Sequence, residues 1–433
     1  MKEKLYFGVA TEKITPEVGA RLYGYMNGIE SVGVNDDLTV TALYFSQGDT
    51  KALIISATVC SFNTALSLNI RKMIEKEWGI PKDNIIMSAT HTHTGPNLTG
   101  NYGWGNLDTA YCDGIFLPGL LRVVKSAVEN PSPVEMAVTY GESFVGVNRR
   151  ELTPENTIAL GQSPWSPFNP IMTVITFRSI ESGKILANII HYGAHGTSAG
   201  RDAIISRDWP GVMVDVLGEE SGADTVFLNG TEGDVGPRLA NGKTMGNGVQ
   251  AAMKLGALAA QDAVRIYRQT KEFHDATLSA SSMMLNLPLA PRVDLETAKE
   301  QYEKLKQYNY GSNGQMANYY RMTIESYKND NFVEEKSRTI EQTVIKIGDV
   351  AFVGLPYEVF TEIGMRIARE SKIPHVLTVS CVNGFEGYFV TEDQICRGGY
   401  EIRMFKTAEL QGYADNADWH LVTQTLEHLK KHE

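Results

Sequence analysis

The sequence predicts an α/β fold in which mixed β-sheets are covered by helices. Strand-like and helix-like segments alternate along most of the 433 residues, and such alternation favours sheets with helices packed on them. Hydrophobic residues make up 42% and charged residues 21% of the chain, which is typical of a globular protein with a sizeable core. By length the chain could hold two or three domains, but single α/β domains also reach this size. We expect one domain over residues 1–433.

The individual elements follow from hydrophobic periodicity and turn residues. The predicted strands cover residues 37–58 (two strands joined by a Gly-Asp turn), 84–90, 135–147, 171–178, 185–193, 224–230, 343–356 (a hairpin) and 375–384. The predicted helices cover residues 65–77, 117–129, 247–268, 358–371 and the C-terminus.

Residues 293–340 differ in composition from the rest of the chain. They are highly charged, rich in tyrosine and high in helix propensity. We expect a helical excursion inserted into the main domain. It is either a lid over the functional site or a solvated helical pair, and the general frequency of such elements favours the solvated pair.

The charge and the chain's ends restrict the partners and the location. A formal net charge of −11 disfavours nucleic acid and anionic membrane surfaces as partners, although it allows a neutral or cationic small molecule. No apolar run approaches the length of a membrane span, so we expect no integral membrane segment. The N-terminus lacks the apolar region of a signal peptide, and the four cysteines show no CxxC spacing. Both features favour free thiols and a cytoplasmic location. The oligomeric state stays open.

Two pairs of histidines follow strand-like segments. His91 and His93 come directly after the strand predicted at 84–90, and residues two apart on a strand point to the same side. His191 and His195 end another apolar run among glycines, which disfavour a regular helix there. We therefore expect one of this second pair to enter the same cleft. Because imidazole is the commonest side-chain metal ligand, the two strand ends together favour a metal site over turn-capping histidines.

Three further segments carry polar side chains that suit chemistry. Glu232 and Asp234 lie in a glycine-rich loop after the strand at 224–230, which is either an oxyanion-binding loop or an ordinary polar turn. Glu358 lies at an expected helix start, where capping would also explain a carboxylate. Tyr388 lies between glycine-flanked turns, and a half-buried aromatic role is its alternative.

Taken in order, these segments resemble the catalytic domain of the neutral, non-lysosomal ceramidases, zinc amidases that cleave the N-acyl bond of ceramide. ATHTHTGP at 89–96 resembles the family's S-A/G-T-H-T-H-S-G-P, HGTS at 195–198 resembles H-P-T/V-S, and GDVGP at 233–237 resembles G-D-V-S-P. LPYEVFTEIGMRI, GYFVTEDQICRGGYE and the N-terminal YFGVATEKITPEVGARLYGYM are similar to three other family segments. The motifs keep the family's order and span most of the chain.

The resemblance implies a metal site and assigns its ligands. By it, His91, His195, Glu358 and Tyr388 would bind Zn²⁺, and two neutral nitrogens with two oxygens suit this ion. Tyrosinate is an unusual ligand, because metal binding would have to lower the tyrosine pKa well below ~10.

Four further residues have expected catalytic roles. The resemblance assigns those of His93, Arg149 and Tyr400, and the general-base role follows from attack by water. His93 would face the substrate or a metal-bound water, and His93 or Asp234 would serve as the general base. Arg149, in the segment GVNRRE, would bind a substrate oxygen, and Tyr400 would help to polarise the scissile carbonyl.

Two departures from the family change what we expect. The family's proposed serine nucleophile falls at Gly236, so a covalent acyl-enzyme through that position is excluded, and attack by zinc-bound water, whose pKa zinc can lower to ~7, remains. The chain also shows no signal peptide and no counterpart of the C-terminal immunoglobulin-like domain of secreted ceramidases. We therefore expect a divergent cytoplasmic member.

The most specific functional expectation is a zinc-dependent hydrolase that cleaves the C–N amide bond of an N-acyl compound, either ceramide-like or smaller and more soluble. One alternative is the same metal site acting on an ester, lactone or cyclic amide, or as a lyase, because a fold and its metal do not fix the reaction. Another is a metal-binding protein that has lost catalysis. An amidohydrolase TIM barrel would need eight regular βα units, which the excursion at 293–340 interrupts.

Overall fold

The computed structural model of the chain describes residues 3–25, 29–329 and 332–433. Residues 330 and 331 of the predicted helical excursion, and residue 26 at the end of the N-terminal motif, lie outside the described residues. The strands are β1 (Leu5–Lys13), β2 (Leu22–Tyr23), β3 (Gly33–Val34), β4 (Thr39–Gln47), β5 (Thr50–Ala57), β6 (Ile85–Ala89), β7 (Gly95–Pro96), β8 (Ser132–Glu142), β9 (Gly146–Asn148), β10 (Arg150–Leu152), β11 (Ile158–Leu160), β12 (Ile171–Ser179), β13 (Ile185–Tyr192), β14 (Ile204–Ile205), β15 (Asp224–Asn229), β16 (Val235–Pro237), β17 (Leu278–Pro288), β18 (Ser337–Ile347), β19 (Val350–Gly354), β20 (Glu358–Val359), β21 (His375–Val379) and β22 (Tyr388–Phe389). The helices are α1 (Thr64–Trp78), α2 (Thr109–Tyr111), α3 (Leu117–Glu129), α4 (Asp208–Ser221), α5 (Val249–Tyr267), α6 (Leu295–Leu305), α7 (Gly311–Ser326), α8 (Thr361–Glu370), α9 (Glu392–Ile395), α10 (Tyr400–Lys406) and α11 (Ala417–Leu429). A π-helical turn (Cys112–Phe116) joins α2 to α3, and 3₁₀ turns lie at Lys82–Asn84 and Lys430–His432.

Two mixed sheets pack face to face at the centre of the molecule. The larger sheet has eight strands in the order β15-β13-β12-β8-β1-β4-β5-β6, and the smaller has four in the order β17-β18-β19-β21. Because side chains alternate along a strand, one face of each sheet supplies the core between them, where Phe7 stacks on Phe177 with ring centroids 4.7 Å apart. Phe45 and Phe352 belong to the same buried cluster.

Helices cover the outer faces of both sheets. Ile70 of α1 and Leu120 of α3 pack on one part of the larger sheet, and Trp209 of α4 and Leu255 of α5 pack on another. Helices α8 and α11 cover the smaller sheet. The resulting layers of helix, sheet, sheet and helix confirm the predicted fold class.

The larger sheet coils until its two edge strands meet, as strongly twisted sheets do. The Asn229 side chain, at the end of β15, donates to the carbonyl of Thr90 after β6 over 3.2 Å. The Ser380 backbone N–H, directly after β21, donates to the carbonyl of Asn229 over 3.1 Å. The C-terminal ends of strands from both sheets therefore share one place, and the loops that follow them build the candidate site.

Most predicted elements are present, with several differences. Strands β1 and β17 were not predicted, and the strand expected over 135–147 is divided into β8 and β9. The predicted start of one helix, residue 358, is wrong, because this helix begins at Thr361. Residue Glu358 instead pairs with Tyr388 in β20–β22, and its N–H donates to the Gly387 carbonyl. The end of the excursion predicted at 293–340 is strand β18, which begins at Ser337. Helix α4 was not predicted, since Pro210 and two glycines lower its propensity.

The described helices include none with the length and apolar character needed to cross a lipid bilayer.

Candidate metal centre

Three side chains predicted as metal ligands converge at the strand ends. His91 follows β6, His195 follows β13, and Glu358 begins β20. The Glu358 Oε2 atom lies 2.9 Å from His195 Nε2 and 3.5 Å from His91 Nε2. All three side chains are buried, and their ligand atoms lie within 4.8 Å of one another. The three side chains are therefore close enough to hold one metal ion.

Backbone carbonyls determine which imidazole nitrogen faces this cluster. His91 Nδ1 lies 2.8 Å from the Cys60 carbonyl oxygen. His195 Nδ1 lies 2.8 Å from the Glu232 carbonyl oxygen and 3.0 Å from that of Val235. Carbonyl oxygens only accept hydrogen bonds, so both Nδ1 atoms carry the hydrogen. In the neutral imidazoles the lone pairs then lie on Nε2 and point toward the carboxylate.

The two histidine loops approach each other closely. His91 adopts a left-handed conformation with φ +66°, which is unfavourable for a residue with a side chain and is common at functional sites. An isolated bridge pairs Thr92 with Gly196. A Cβ atom at Gly196 would lie only 2.8 Å from the His91 carbonyl oxygen. Glycine at 196 therefore allows His195 to come within reach of His91.

The electrostatics of the cluster favour a cation. Burial alone would raise the pKa of Glu358, but His91 and His195 hold it well below its usual value. Burial lowers the pKa of His195 to about 4, so this neutral imidazole directs a lone pair at a carboxylate 2.9 Å away. Two electron-pair donors repel at this distance unless a positive charge lies between them.

The surroundings of His91 also favour a positive charge. Burial alone would lower its pKa, but Cys60 and Glu358 raise it well above its ordinary value. These surroundings favour a positive charge at this point, and a set of two imidazole nitrogens and a carboxylate oxygen fits Zn²⁺. Two overlapping groups could also hold an ion, namely Cys60 with His91 and His93, and His91 with Glu232 and Cys381.

Tyr388, the fourth predicted ligand, lies beside the other three. It pairs directly with Glu358 across β20 and β22, and its hydroxyl accepts a hydrogen bond from Arg149 Nη2 over 2.9 Å. Burial raises the pKa of Tyr388 well above its usual value, and Arg149 opposes this shift. A tyrosinate would therefore need the further charge of a metal ion, and the ligand role of Tyr388 stays a prediction.

A buried carboxylate that sequence analysis did not single out, Glu401, fixes the arginine. Its Oε1 atom accepts from Arg149 Nε over 2.8 Å, and its Oε2 atom accepts from Arg150 Nη1 over 2.7 Å. Glu401 follows Tyr400, whose ring lies edge-on to Tyr388 with centroids 5.6 Å apart. The sequence did contain one signal, because Glu401 ends the ceramidase-like stretch GYFVTEDQICRGGYE.

His93 lies next to the cluster. Its Nε2 atom is 3.1 Å from His91 Nε2, and its Nδ1 atom is buried without a hydrogen-bond partner among the described residues. Burial, together with the nearby imidazoles His91 and His195, holds the pKa of His93 well below its usual value. A Cβ atom at Gly24 would lie 2.5 Å from the His93 ring, so glycine at 24 provides the space for this imidazole.

Asp234, the other predicted general base, makes positioning contacts. Its Oδ1 atom accepts from the Thr361 N–H over 2.8 Å, and its Oδ2 atom accepts from Asn148 Nδ2 over 3.0 Å. Burial raises the pKa of Asp234 to about 7. Asp234 thus ties the start of α8 to the strand that precedes Arg149, and its catalytic role stays a prediction.

Gly236 has no space for a side chain in this conformation. A Cβ atom there would lie 2.5 Å from Thr244 Cβ and 3.2 Å from Thr244 Oγ1. Thr244 therefore occupies the volume that a serine at position 236 would need.

His191 and Glu232 lie outside the cluster of three. His191 Nε2 donates to the Thr378 carbonyl over 2.8 Å and so links the two sheets, while burial lowers its pKa to about 4. Glu232 lies behind His91, where its Oε1 atom accepts from Cys381 Sγ at 3.5 Å. Of the 191/195 pair, His195 therefore lies with His91 and Glu358, whereas His191 does not.

A cavity of about 540 Å³ opens from the cluster. The residues of the cluster and its neighbours that line it are His91, His93, Glu358, Tyr388 and Tyr400. Helix α7 and the loop at 101–104 form part of the opposite side. The excursion therefore lies beside the cavity.

The chain has the fold of the neutral ceramidases. Compared with the crystal structure of neutral ceramidase from Pseudomonas aeruginosa, the TM-score is 0.74 at 17% sequence identity, and the match covers 98% of this chain and 74% of that one. A second solved structure, a ceramidase complexed with C2, gives a TM-score of 0.71 at 17% identity and covers 97% and 73% of the two chains.

A curated relative shows the likeness in sequence. Neutral ceramidase A of Dictyostelium discoideum is 26% identical over 252 residues, which are 51% of this chain and 34% of the relative. The chain thus matches about a third of that protein's length. No family model matches the chain. The resemblance predicted from the motifs is confirmed, and the chain is neutral ceramidase-like in fold and in sequence.

Proposed function

We propose that the chain is a zinc-dependent hydrolase that cleaves the C–N amide bond of an N-acyl compound, with water as the nucleophile. The observation that supports it most is the cluster of His91, His195 and Glu358, in which three electron-pair donors face one another beside a cavity. The likeness to neutral ceramidases supports an amide as the bond that is cleaved.

The chain's own residues would hold the metal ion. We assign His91, His195 and Glu358 as ligands, and Tyr388 as the fourth ligand through its phenolic oxygen. When bound, zinc supplies Lewis-acid chemistry, because it polarises a carbonyl oxygen and lowers the pKa of water to ~7.

His93 is the proposed general base. Its pKa lies below its usual value, so it is neutral at pH 7 and able to accept a proton from the attacking water and deliver it to the leaving nitrogen. We favour His93 over Asp234, because both Asp234 oxygens already accept hydrogen bonds. Tyr400 and Arg149 would bind the substrate carbonyl oxygen, and Gly236 leaves no hydroxyl for a covalent route.

We further propose that residues 1–433 form one catalytic domain and that 293–340 is an insertion beside its cavity. The match of 98% of this chain to one solved fold supports the first point. The four cysteines are free thiols, three of them buried, which supports a cytoplasmic location.

The test combines metal analysis with a substrate panel. Protein never exposed to a chelator should contain about one equivalent of zinc, since one cluster is assigned, and it should hydrolyse N-acyl amides. A chelator should abolish this activity, and added zinc should restore it. Cleavage of matched esters or lactones without any amide cleavage would change the assigned reaction, and absence of both zinc and hydrolysis would reject the proposal.

A further inference from the structure

The helical excursion is attached over the cavity. Trp104 Nε1 donates to Gln315 Oε1 over 3.0 Å, and the Gly311 N–H donates to the Gly103 carbonyl over 2.7 Å. A Cβ atom at Gly103, which has φ +82°, would lie 2.9 Å from the Gly311 carbonyl oxygen. The start of α7 is therefore held against the loop at 101–104. We call α7 and this loop the outer wall of the cavity, and a ligand in the cavity would contact it.

The outer wall presents hydrogen-bonding and aromatic groups. Asn101 and Asn318 supply amides, and Tyr102 and Tyr319 supply aromatic rings with polar ends. The Asn318 oxygen accepts from Arg321 over 2.6 Å, whereas its NH₂ group has only the weak acceptor Met322 sulfur at 3.4 Å and can donate to a ligand. An amide both donates and accepts hydrogen bonds, as does a hydroxyl group, and an aromatic ring packs on the C–H face of a saturated ring or chain. This combination suits a hydroxylated ligand.

The charge of the lining excludes one class of amide. Glu386 and Glu409 line the cavity in addition to Glu358, and no lysine or arginine occurs among the described residues that line it. Arg338 lies 3.6 Å from Glu409, and Thr64 donates to Glu386, so both carboxylates have partners in the folded protein. The partner of Glu386 is an uncharged hydroxyl, so an N-acyl amino acid whose carboxylate lay near Glu386, away from the metal cluster and Arg149, would be repelled there.

The size and composition of the cavity disfavour long alkyl chains. A volume of about 540 Å³ lies within the ~300–1,000 Å³ typical of sites for drug-sized ligands. Long chains bind by burying each methylene group against apolar surface. Among the described lining residues, the larger purely apolar side chains are Leu410, Met322, Met404 and Phe385, and polar side chains outnumber them.

On the basis of the proposed amide hydrolysis, we infer that the substrate is a short-chain N-acyl derivative of a hydroxylated amine that has no long alkyl chain and no carboxylate, such as an amino sugar or a short amino polyol. The metal cluster would meet the N-acyl group, and the outer wall would bind the hydroxyl groups.

Binding is tested first, on zinc-depleted protein, so that the result does not depend on catalysis. The probe is the methyl glycoside of N-acetylglucosamine, and the readout is tryptophan fluorescence, which should change in a saturable way. Trp104→Phe should remove most of the signal. Asn318→Leu should weaken binding about tenfold, which corresponds to one lost hydrogen bond. Asn313→Leu lies on the same helix outside the lining and serves as the matched control with unchanged affinity.

The comparison probes are N-acetylglycine and C2 ceramide, with circular dichroism to verify that each variant is folded. Tighter binding of either comparison probe than of the glycoside, or no saturable change with the glycoside, would overturn the inference. Equal affinity of Asn318→Leu, Asn313→Leu and the unchanged protein would overturn the assigned role of the α7 wall.

Hydrolysis by zinc-loaded protein then separates this inference from the proposed function. We expect kcat/KM for the N-acetylated amino sugar to exceed that for long-chain ceramide at least tenfold. If long-chain ceramide is the better substrate, the inference fails while the proposed function stands. If the glycoside binds and no amide is cleaved, the proposed function fails while the assignment of the cavity stands.

Discussion

The floor and the outer wall of the cavity are built in different ways. The floor is the predicted ligand set, in which His91, Glu358 and Tyr388 line the cavity and His195 lies behind them. These side chains are buried, follow or begin strands, and are oriented by hydrogen bonds. The outer wall combines α7 of the insertion with the loop at 101–104 of the main domain, and hydrogen bonds from Trp104 to Gln315 and from Gly311 to Gly103 join the two. Under the proposed function, the sheet architecture positions the metal ligands, and the insertion contributes to substrate selection, a division common in enzymes.

The largest effect should come from a floor ligand. His195→Ala removes one of the three donors, and even residues that only orient metal ligands change metal affinity by ~10–100-fold. We therefore expect zinc affinity to fall by more than about a hundredfold and amide hydrolysis to disappear. Competition titration with a fluorescent zinc chelator measures the affinity.

The matched control is His191→Gln on the same segment. His191 is also buried, but it bonds to the Thr378 carbonyl and not to the cluster. This variant should lose thermal stability and keep its zinc. Equal zinc affinity in the two variants would show that His195 is not a ligand.

The next effect concerns proton transfer. His93→Ala should lower kcat by ~10²–10⁴-fold, the usual contribution of a general base, while zinc content stays at the level of the unchanged protein. Steady-state kinetics with metal analysis of the same sample measures both. A kcat within a factor of three of the original would mean that Asp234 or another group, and not His93, is the general base.

Glu401→Gln tests how the floor is supported. The substitution keeps the shape but leaves Arg149 and Arg150 with a neutral partner in a buried site, and breaking a buried pair costs about 3–5 kcal/mol. We expect the free energy of unfolding in urea to fall by an amount in this range. The exposed Glu300→Gln, which pairs with Lys304 on α6, should change it by less than ~0.5 kcal/mol. Similar values for both variants would contradict the positioning role of Glu401.

The smallest effect belongs to the outer wall. Gln315→Ala removes the hydrogen bond to Trp104 and should lower the free energy of unfolding by about 1 kcal/mol. Zinc affinity should not change, because Gln315 contacts no proposed ligand. A loss of zinc in this variant would mean that the wall and the floor are not separable.

The floor was largely predictable from sequence, and the wall was not. His91 and His195 follow apolar runs that had to be strands, which made both histidines visible as candidates. The two strands, β6 and β13, run in opposite senses in the strand order, and their ends meet because the sheet coils until its edges approach each other. Glu358 was assigned to a helix start because its pairing with Tyr388 depends on a segment 30 residues later. The composition of α7 indicated a helix, but its contact with Trp104 joins residues 211 positions apart. The pairing of Glu401 with Arg149 likewise spans 252 positions, and no local pattern reveals it.

Zinc K-edge X-ray absorption of the zinc-loaded protein measures directly which atoms hold the ion. We expect a first shell of nitrogen and oxygen at ~2.0–2.2 Å with the outer-shell scattering of two imidazoles. A sulfur shell at ~2.3 Å would place the ion against Cys60 or Cys381, in one of the overlapping groups. That result, or the absence of imidazole scattering, would contradict the assignment of His91, His195 and Glu358.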